Sequence, residues 1–278
     1  MALALAEFEY LQKYVEETSS IIIGPGQEYL VESRLADLAY QNKLASVQEL
    51  LHLLRVAPAS DLHAKVLDAM TNNETWFFRD QLPFEALRKR IIPEVLERNA
   101  DSRKMSIWSA AASTGQEAYS IAMLLEDDFG GLPNWEVQIL GTDISEAAVQ
   151  RARQARYGQM EVSRGLSAQQ LQKYFSPRGN EWQVHTSIRQ RVHFQQRNLF
   201  HSWYDLPSFD IIFLRNVLIY FEVAKKKLIL SRVPNVLRPG GYLVLGGAET
   251  TYGLDETLER INFGERVSGQ MSYYQFRP

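Results

Sequence analysis

Apolar residues at helical spacing dominate the first 70 positions of the chain. Phe8, Leu11 and Val15 recur three to four residues apart, and residues 29–39 repeat that pattern. The two runs are separated by Gly-Pro-Gly at 24–26, a strong helix breaker. The pattern predicts a helix on each side of this break.

Serine residues mark the start of two further helices in the same region. Ser46 and Glu49 have the spacing of a capping box, and Ser60 stands in the same position before another apolar-periodic run. Residues 1–72 are therefore predicted to form an all-helical domain.

The pattern changes after residue 80, where strand-like runs begin to alternate with helical ones. One more helix, at 84–99, is expected to bend or end at Pro93. Apolar strand-like runs then occupy 105–110, 135–143, 210–221 and 241–249, and a short final run at 272–276 suggests an added edge strand. Helical runs follow the first three of these, at 115–129, 145–157 and 222–237. This alternation predicts a parallel sheet covered by helices on both faces.

Residues 154–198 interrupt that alternation. Two short runs there, 182–187 and 191–196, alternate between apolar and polar positions. We interpret them as an antiparallel ribbon inserted into the α/β domain.

Composition narrows the class of protein. The chain has 278 residues, of which 45% are hydrophobic and 23% charged, the balance of a globular protein. It has no cysteine, which excludes disulfides, thiolate zinc sites and a cysteine nucleophile. No apolar run approaches the ~20 residues that span a bilayer. The N-terminus turns acidic at once and makes a poor signal peptide, so a cytoplasmic location is expected.

Charge is distributed unevenly although the net charge is only −3. Residues 1–70 contain ten acidic and five basic residues, whereas 151–197 contain nine basic and two acidic residues. A basic segment suits an acidic partner, either nucleic acid or an acidic protein surface. A solvated arginine-rich face is an equally good interpretation.

Candidate chemistry lies where parallel strands end, because ligands of open α/β sheets bind at the carboxyl ends of the strands. The segment 108–120, WSAAASTGQEAYS, follows the first strand, and its small residues allow close approach of a ligand. It lacks the G-x-G-x-x-G pattern of dinucleotide sites. Thr114 and Glu117 also have capping-box spacing, a purely structural alternative.

Polar residues end three other strands. Asp143 is placed to accept hydrogen bonds from ribose hydroxyls, although a helix cap is the alternative. Arg215 and Asn216 interrupt an apolar strand, which costs stability unless they are paired. Asn198 suits either an adenine edge or a turn. With no phosphate-binding lysine motif, these features favour S-adenosylmethionine over a nucleoside triphosphate as the cofactor.

Four segments together resemble the CheR family, the chemotaxis receptor glutamate O-methyltransferases. They read TNNETWFFRD at 71–80, WSAAASTGQEAYSIA from 108, GTDIS from 141 and FLRNVLIYF from 213. The resemblance implies a Rossmann-like class I S-adenosylmethionine-dependent methyltransferase domain of the α/β class over 73–278. It also implies an inserted small antiparallel β-subdomain at about 158–196 and a preceding all-helical domain over 1–72.

The resemblance also implies site residues. Arg79 and Tyr220 are expected to be catalytic, and no metal is expected. The cofactor-binding residues implied are Asn73, Thr75, Arg79, Glu117, Asp143, Asn198, Leu199, Arg215 and Asn216. Segment 71–80 would close over S-adenosylmethionine, and the product would be S-adenosylhomocysteine.

The implied partner is the cytoplasmic domain of a methyl-accepting chemoreceptor, modified on glutamate side chains. The ribbon is compact, which argues against the receptor C-terminal pentapeptide tether that a longer ribbon binds in some relatives. Neither nucleic acid nor membrane insertion is expected, and a monomer is the default. The alternative functions are a nucleic-acid methyltransferase and a non-catalytic cofactor-binding adaptor.

Overall fold

A computed structural model describes residues 3–58, 60–261 and 273–277. They form two compact units. The first comprises the described residues of 1–73 together with 144–147, and the second comprises those of 74–143 and 148–278.

The smaller unit is helical, as the apolar spacing predicts. Its helices are α1 (Leu5–Ser19), α2 (Glu28–Gln41), α3 (Val47–Val56) and α4 (Asp61–Met70). Phe8, Leu11 and Val15 are buried in its core, which confirms the predicted apolar face of α1. Ser46 caps α3, because its hydroxyl oxygen accepts a hydrogen bond from the Glu49 N–H at 3.2 Å.

The larger unit alternates strands and helices. Its helices are α5 (Leu82–Ala86), α6 (Ile92–Arg98), α7 (Gln116–Phe129), α8 (Glu146–Gln154, the first two residues of which are grouped with the smaller unit), α9 (Gln159–Ser163), α10 (Ala168–Tyr174), α11 (Thr186–Arg189), α12 (Val223–Leu230) and α13 (Val233–Val236). Its strands are β1 (Lys104–Ala110), β2 (Glu136–Asp143), β3 (Arg156–Gly158), β4 (Phe175–Arg178), β5 (Glu181–Val184), β6 (Val192–Gln196), β7 (Phe209–Leu214), β8 (Leu237–Leu245), β9 (Leu258–Ile261) and β10 (Tyr273–Phe276).

The main sheet of the described residues has the strand order β6-β2-β1-β7-β8-β10-β9. The first five strands are parallel, and β10 runs antiparallel to both neighbours. The predicted run at 272–276 becomes this strand, apart from Ser272, which lies outside the described residues. Strand order reverses between β1 and β7, so their carboxyl ends form the switch point at which ligands bind.

Helix α5 continues into α6 through one π-helical turn, Leu87–Ile91. Pro93 lies at the start of α6, directly after this turn. Proline has no N–H to donate and its ring collides with a regular preceding turn, so the wider turn accommodates it. The helix therefore does not end at Pro93, and the local irregularity that the proline causes is this wider turn.

The inserted antiparallel sheet has the order β3-β5-β4, within 156–184. The interpretation of 191–196 as part of this ribbon is wrong, because β6 pairs in parallel with β2 in the main sheet. Its alternation arises because it is an edge strand: Val192 and Phe194 are buried and His193 is exposed. Residues 156–158 likewise form a strand instead of a last turn of α8, which ends at Gln154.

No helix among residues 3–58, 60–261 and 273–277 is long and apolar enough to cross a membrane.

Candidate active site

The switch point gathers most of the predicted site residues at one edge of the larger unit. Strand β1 leads into the loop before α7, β2 ends at Asp143, and β7 ends directly before Arg215. Adjacent strands in register carry these ends side by side, with Ala110 opposite both Thr142 and Leu214.

The loop after β1 is tightly folded around the end of β2. Ala111 and Ser113 have φ values of 57° and 52°, which residues other than glycine rarely adopt. The Ser113 N–H donates to a carboxylate oxygen of Asp143 at 2.7 Å, and Asp143 is only 6% exposed. The carboxylate therefore fixes the loop as well as standing at the predicted ribose position.

Gly115 and Tyr157 hold this loop close to its neighbours in the larger unit. Gly115 has a φ of 95°, and a β-carbon there would lie 2.9 Å from both Ala152 and Phe194. The Tyr157 hydroxyl donates to the Thr114 carbonyl at 2.7 Å. Burial raises the pKa of the Tyr157 hydroxyl well above its ordinary value, so this donor keeps its proton.

Glu117 pairs with Arg215 in the interior. Their side chains are 12% and 1% exposed, and Nη1 of Arg215 lies 2.6 Å from Oε2 of Glu117. The other carboxylate oxygen accepts the Ser109 hydroxyl at 2.8 Å. Glu117 is therefore not the capping-box partner of Thr114, and the helix begins after Gly115. The pair joins the loop after β1 to the end of β7.

Arg215 also anchors segment 74–80. Its Nη2 donates to the Arg79 carbonyl and to the Asp80 carboxylate, each at 2.9 Å. The same segment is tied to α7, since the Phe78 N–H donates to the Ser120 hydroxyl at 2.9 Å. Phe77 is fully buried and packs edge-on against Tyr157 at 5.0 Å between ring centroids.

The Arg79 side chain folds back over its own segment. Its guanidinium carbon lies 4.3 Å from the centre of the Trp76 ring, and Nη1 donates to the Glu74 carbonyl at 2.9 Å. The side chain is 22% exposed, so it stands at the boundary between the interior and solvent.

Glu249, which sequence reasoning missed, shapes the chain after β7. It is 5% exposed and accepts backbone N–H groups of Asn216 and Gly246 on one oxygen, each at 2.8 Å. The other oxygen accepts those of Val217 and Ile219 at 2.9 and 3.3 Å. This holds Asn216 at a φ of 57°. The half-buried Tyr220 follows in a short 3₁₀ helix, Leu218–Tyr220.

The remaining predicted residues are placed less decisively. The Asn198 side-chain oxygen accepts the Phe200 N–H at 2.9 Å, which is a turn role, and Leu199 beside it is buried. Thr75 is half-buried in the anchored segment. Asn73 belongs to the helical unit, where its amide donates to Thr71 at 3.1 Å. Their roles toward a cofactor stay predictions.

The inserted subdomain packs directly on segment 74–80 at Gly165. This residue has a φ of 96°, and a β-carbon there would lie 1.8 Å from the Phe77 carbonyl oxygen. The neighbouring Arg164 extends its guanidinium carbon to 3.7 Å from the centre of the Trp76 ring. Its Nη2 pairs with the Glu74 carboxylate at 3.1 Å.

We expect Gly165→Ala to lower the free energy of unfolding by about 2–3 kcal/mol, because the chain must both strain and separate from Phe77. Chemical denaturation of the purified variant measures this. Gly179→Ala is the matched control, since Gly179 also has a positive φ, 64°, but nothing lies within 4 Å of its added β-carbon. If both variants lost the same free energy of unfolding, the close approach of Gly165 to Phe77 would not be the cause of the effect.

The donor set of this edge fits S-adenosylmethionine. The Nε atoms of Arg79 and Arg215 are buried and have no hydrogen-bond partner among the described residues. Two such cationic N–H groups suit the carboxylate at the methionine end of the cofactor. The buried Asp143 suits the ribose, and the tightly turned small-residue loop between the two suits a ligand that approaches the backbone.

Comparison with known proteins agrees with this geometry. Residues 73–267 match the family model of the CheR methyltransferase SAM-binding domain, and residues 6–71 match that of the CheR methyltransferase all-alpha domain. S-adenosylmethionine is therefore the cofactor, and the predicted α/β methyltransferase fold with a preceding helical domain is confirmed.

Named relatives cover nearly the whole chain. Chemotaxis protein methyltransferase Cher2 of Pseudomonas putida is 41% identical over 260 residues, 92% of this chain and 94% of the relative. Chemotaxis protein methyltransferase 1 of Pseudomonas aeruginosa is 40% identical over 266 residues, 94% of this chain and 96% of that protein. The chemotaxis protein methyltransferase of Vibrio parahaemolyticus is 39% identical over 267 residues, 94% and 95% of the two chains. The resemblance that four sequence segments indicated is thus confirmed, and the chain belongs to the CheR methyltransferase family.

Proposed function

We propose that this enzyme methylates the side-chain carboxylates of specific glutamates on the cytoplasmic helices of a chemoreceptor. The products would be glutamyl methyl esters and S-adenosylhomocysteine. The observation that carries the proposal is the buried Arg215–Glu117 pair, which links the small-residue loop, the end of β7 and segment 74–80 into one site. Relatives at about 40% identity are named chemotaxis protein methyltransferases, and this supports the receptor as substrate.

The reaction requires the enzyme to align the glutamate carboxylate with the methyl group more than it requires the enzyme to activate either of them. A glutamate side chain has an ordinary pKa of about 4.3, so it is an anion at neutral pH and needs no general base. When bound, S-adenosylmethionine would supply an electrophilic methyl group on a positively charged sulfur, which would become a neutral thioether as the carboxylate oxygen takes the methyl group. The protein must hold the carboxylate in line and exclude water.

We propose a role for each of the predicted residues. Asp143 would accept the ribose hydroxyls, with Asn198 and Leu199 flanking the adenine. Glu117 would neutralise Arg215 while both orient the methionine end with Asn216. Asn73 and Thr75 would close over the cofactor. Arg79 would have two roles: its Nε would bind the methionine carboxylate, and its guanidinium, at the boundary with solvent, would orient the incoming carboxylate without holding it so tightly that the ground state is favoured.

The basic segment 151–197 gives little support to a nucleic-acid methyltransferase. Several of its nine basic residues have a carboxylate partner within the larger unit; for example, Arg151 pairs with Glu161, Lys173 with Asp127, Arg191 with Glu126 and Arg197 with Asp205. The carboxylates beside these groups offset the positive potential that attracts nucleic-acid phosphates. We therefore favour a protein substrate.

Because the proposed acceptor is the cytoplasmic part of a receptor, the enzyme would act in the cytoplasm, as a monomer and without membrane insertion. We keep 1–72 as the proposed helical domain and 73–278 as the methyltransferase domain. We also propose that this enzyme does not depend on a pentapeptide tether, because its inserted ribbon is compact.

Arg79→Ala is expected to lower the transfer rate at saturating cofactor and receptor about 100-fold, because the carboxylate loses its orienting partner. Initial rates with methyl-labelled S-adenosylmethionine measure the effect. A variant that kept the wild-type rate would remove Arg79 from the mechanism.

Tyr220→Phe is expected to lower the saturated transfer rate about tenfold, because the hydroxyl would orient either the methyl donor or the carboxylate. The same rate assay measures it, with melting temperature as the check that the 3₁₀ turn is intact. An unchanged rate would exclude a role for the hydroxyl.

The molecule that receives the methyl group distinguishes the proposed function from its two alternatives. Purified enzyme and labelled cofactor are incubated either with receptor cytoplasmic domain or with total RNA. We expect label in the receptor. Label in the RNA alone would favour the nucleic-acid methyltransferase, and cofactor binding with no transfer to either acceptor would favour the adaptor.

A further inference from the structure

The Trp76 ring carries two arginines from distant parts of the larger unit. The guanidinium carbon of Arg79 lies 4.3 Å from the ring centre, and that of Arg164 lies 3.7 Å from it. Arg79 belongs to the anchored segment beside the site, whereas Arg164 comes from the inserted subdomain. Two cations are thus held beside one aromatic ring at the boundary of the site.

From this arrangement we infer that Arg164 is a substrate-recognition residue, which binds a second acidic side chain one helical turn from the glutamate being methylated. The inference rests on the proposed function and extends it from one carboxylate to a pair. Residues three or four apart on a helix have Cβ atoms about 5–6 Å apart. The guanidinium carbons of Arg79 and Arg164 both lie close to one ring centre and so are at most about 8 Å apart, a separation that two carboxylates on neighbouring helical turns can reach with their side chains.

The position of Arg164 is fixed by the backbone on which it stands. Gly165 leaves no room for a β-carbon against the Phe77 carbonyl oxygen, so the turn cannot move outward without breaking this contact. The planar guanidinium then stacks on Trp76, which restricts an otherwise flexible side chain. A preorganised cation loses less entropy when it binds a carboxylate.

The present partner of Arg164 can be exchanged. Glu74 pairs with it at 3.1 Å, but the two side chains are 52% and 56% exposed. Such exposed pairs contribute little, since water screens both charges. A receptor carboxylate that approaches Trp76 can therefore replace Glu74 as the partner of Arg164 at little cost.

Arg164→Gln tests the inference in the full-length enzyme, with purified receptor cytoplasmic domain as the probe. We expect the KM for the receptor to rise about five- to tenfold, with kcat and cofactor affinity unchanged. The salt dependence of kcat/KM should also become weaker than in the wild type, because one charge contact is gone. Arg164→Lys keeps the charge but loses the planar stacking on Trp76. Its KM for the receptor should lie between that of the wild type and that of Arg164→Gln.

Arg277→Gln is the matched control. Arg277 pairs with Glu259 at 2.7 Å, with exposures of 66% and 51% that resemble those of Arg164 and Glu74. It follows β10, whose end lies at the opposite edge of the sheet because that strand runs antiparallel to β8. This control should leave the KM for the receptor unchanged.

Direct binding of the receptor domain in the presence of S-adenosylhomocysteine separates this inference from the proposed function. Binding that weakens in Arg164→Gln supports the inference even if the wild type transfers no methyl group, an outcome that would overturn only the proposed function. An unchanged KM and unchanged binding in Arg164→Gln would overturn the inference while methylation itself stood. A fall in kcat alone would also overturn it, since that would indicate a structural role beneath Trp76. A wild-type enzyme that neither bound nor methylated the receptor would overturn both.

Discussion

Arg215→Met is expected to lower the free energy of unfolding by about 3–5 kcal/mol and to reduce methyl transfer at least about 100-fold. The reason is that the Glu117 carboxylate, 12% exposed, would lose the cationic partner that lies 2.6 Å away. The variant would also release the Arg79 carbonyl and Asp80. Chemical denaturation and saturated transfer rates measure the two effects.

The double variant Arg215→Met with Glu117→Gln separates stability from function. Removing both charges should restore part of the lost stability, because no unpaired charge stays buried, but it should not restore transfer. Arg98→Met is a control at the other end of β7, where Arg98 binds buried Asp210 together with Arg238. We expect Arg98→Met to lower the free energy of unfolding and to leave the methyl-transfer rate unchanged. An Arg215→Met enzyme with wild-type transfer would contradict the assignment.

Glu249→Gln is expected to cost about 3 kcal/mol of stability and to slow transfer more than about tenfold. A glutamine offers one acceptor oxygen where four backbone N–H groups now meet a carboxylate. Its amide N–H groups would face donors, so the chain from Asn216 to Tyr220 would rearrange. Denaturation and transfer assays of the purified variant measure both effects.

Glu256→Gln makes the same chemical change on an exposed side chain and should leave stability and rate unchanged. Equal behaviour of the two glutamine variants would show that Glu249 does not organise the loop after β7.

The layout of the larger unit could be predicted because burial leaves a strong sequence signal. Strand β7 is fully buried along its length, and a continuous apolar run is what a central parallel strand requires. Asp143 and Arg215 stood out for the complementary reason, since polar groups at the ends of such strands must have partners. Four short segments were then specific enough to indicate the family.

Other features could not be predicted because they depend on partners far along the chain. Glu117 has the spacing of a helix cap, and only folding shows that its partner is Arg215, 98 residues later. Strand β6 alternates like a hairpin strand, and only its pairing with β2 places it in the main sheet. Glu249 was missed, although an acidic residue just after the apolar run of β8 was a usable signal.

The chemical nature of the methylated product tests the central claim most directly. Receptor cytoplasmic domain is incubated with enzyme and methyl-labelled S-adenosylmethionine, treated with mild alkali, and the released methanol is counted. We predict that the label is released by base and is lost when the modified glutamates are replaced by alanine, as a glutamyl methyl ester requires. Label on the receptor that resists alkali, or that persists in the alanine variants, would contradict the account.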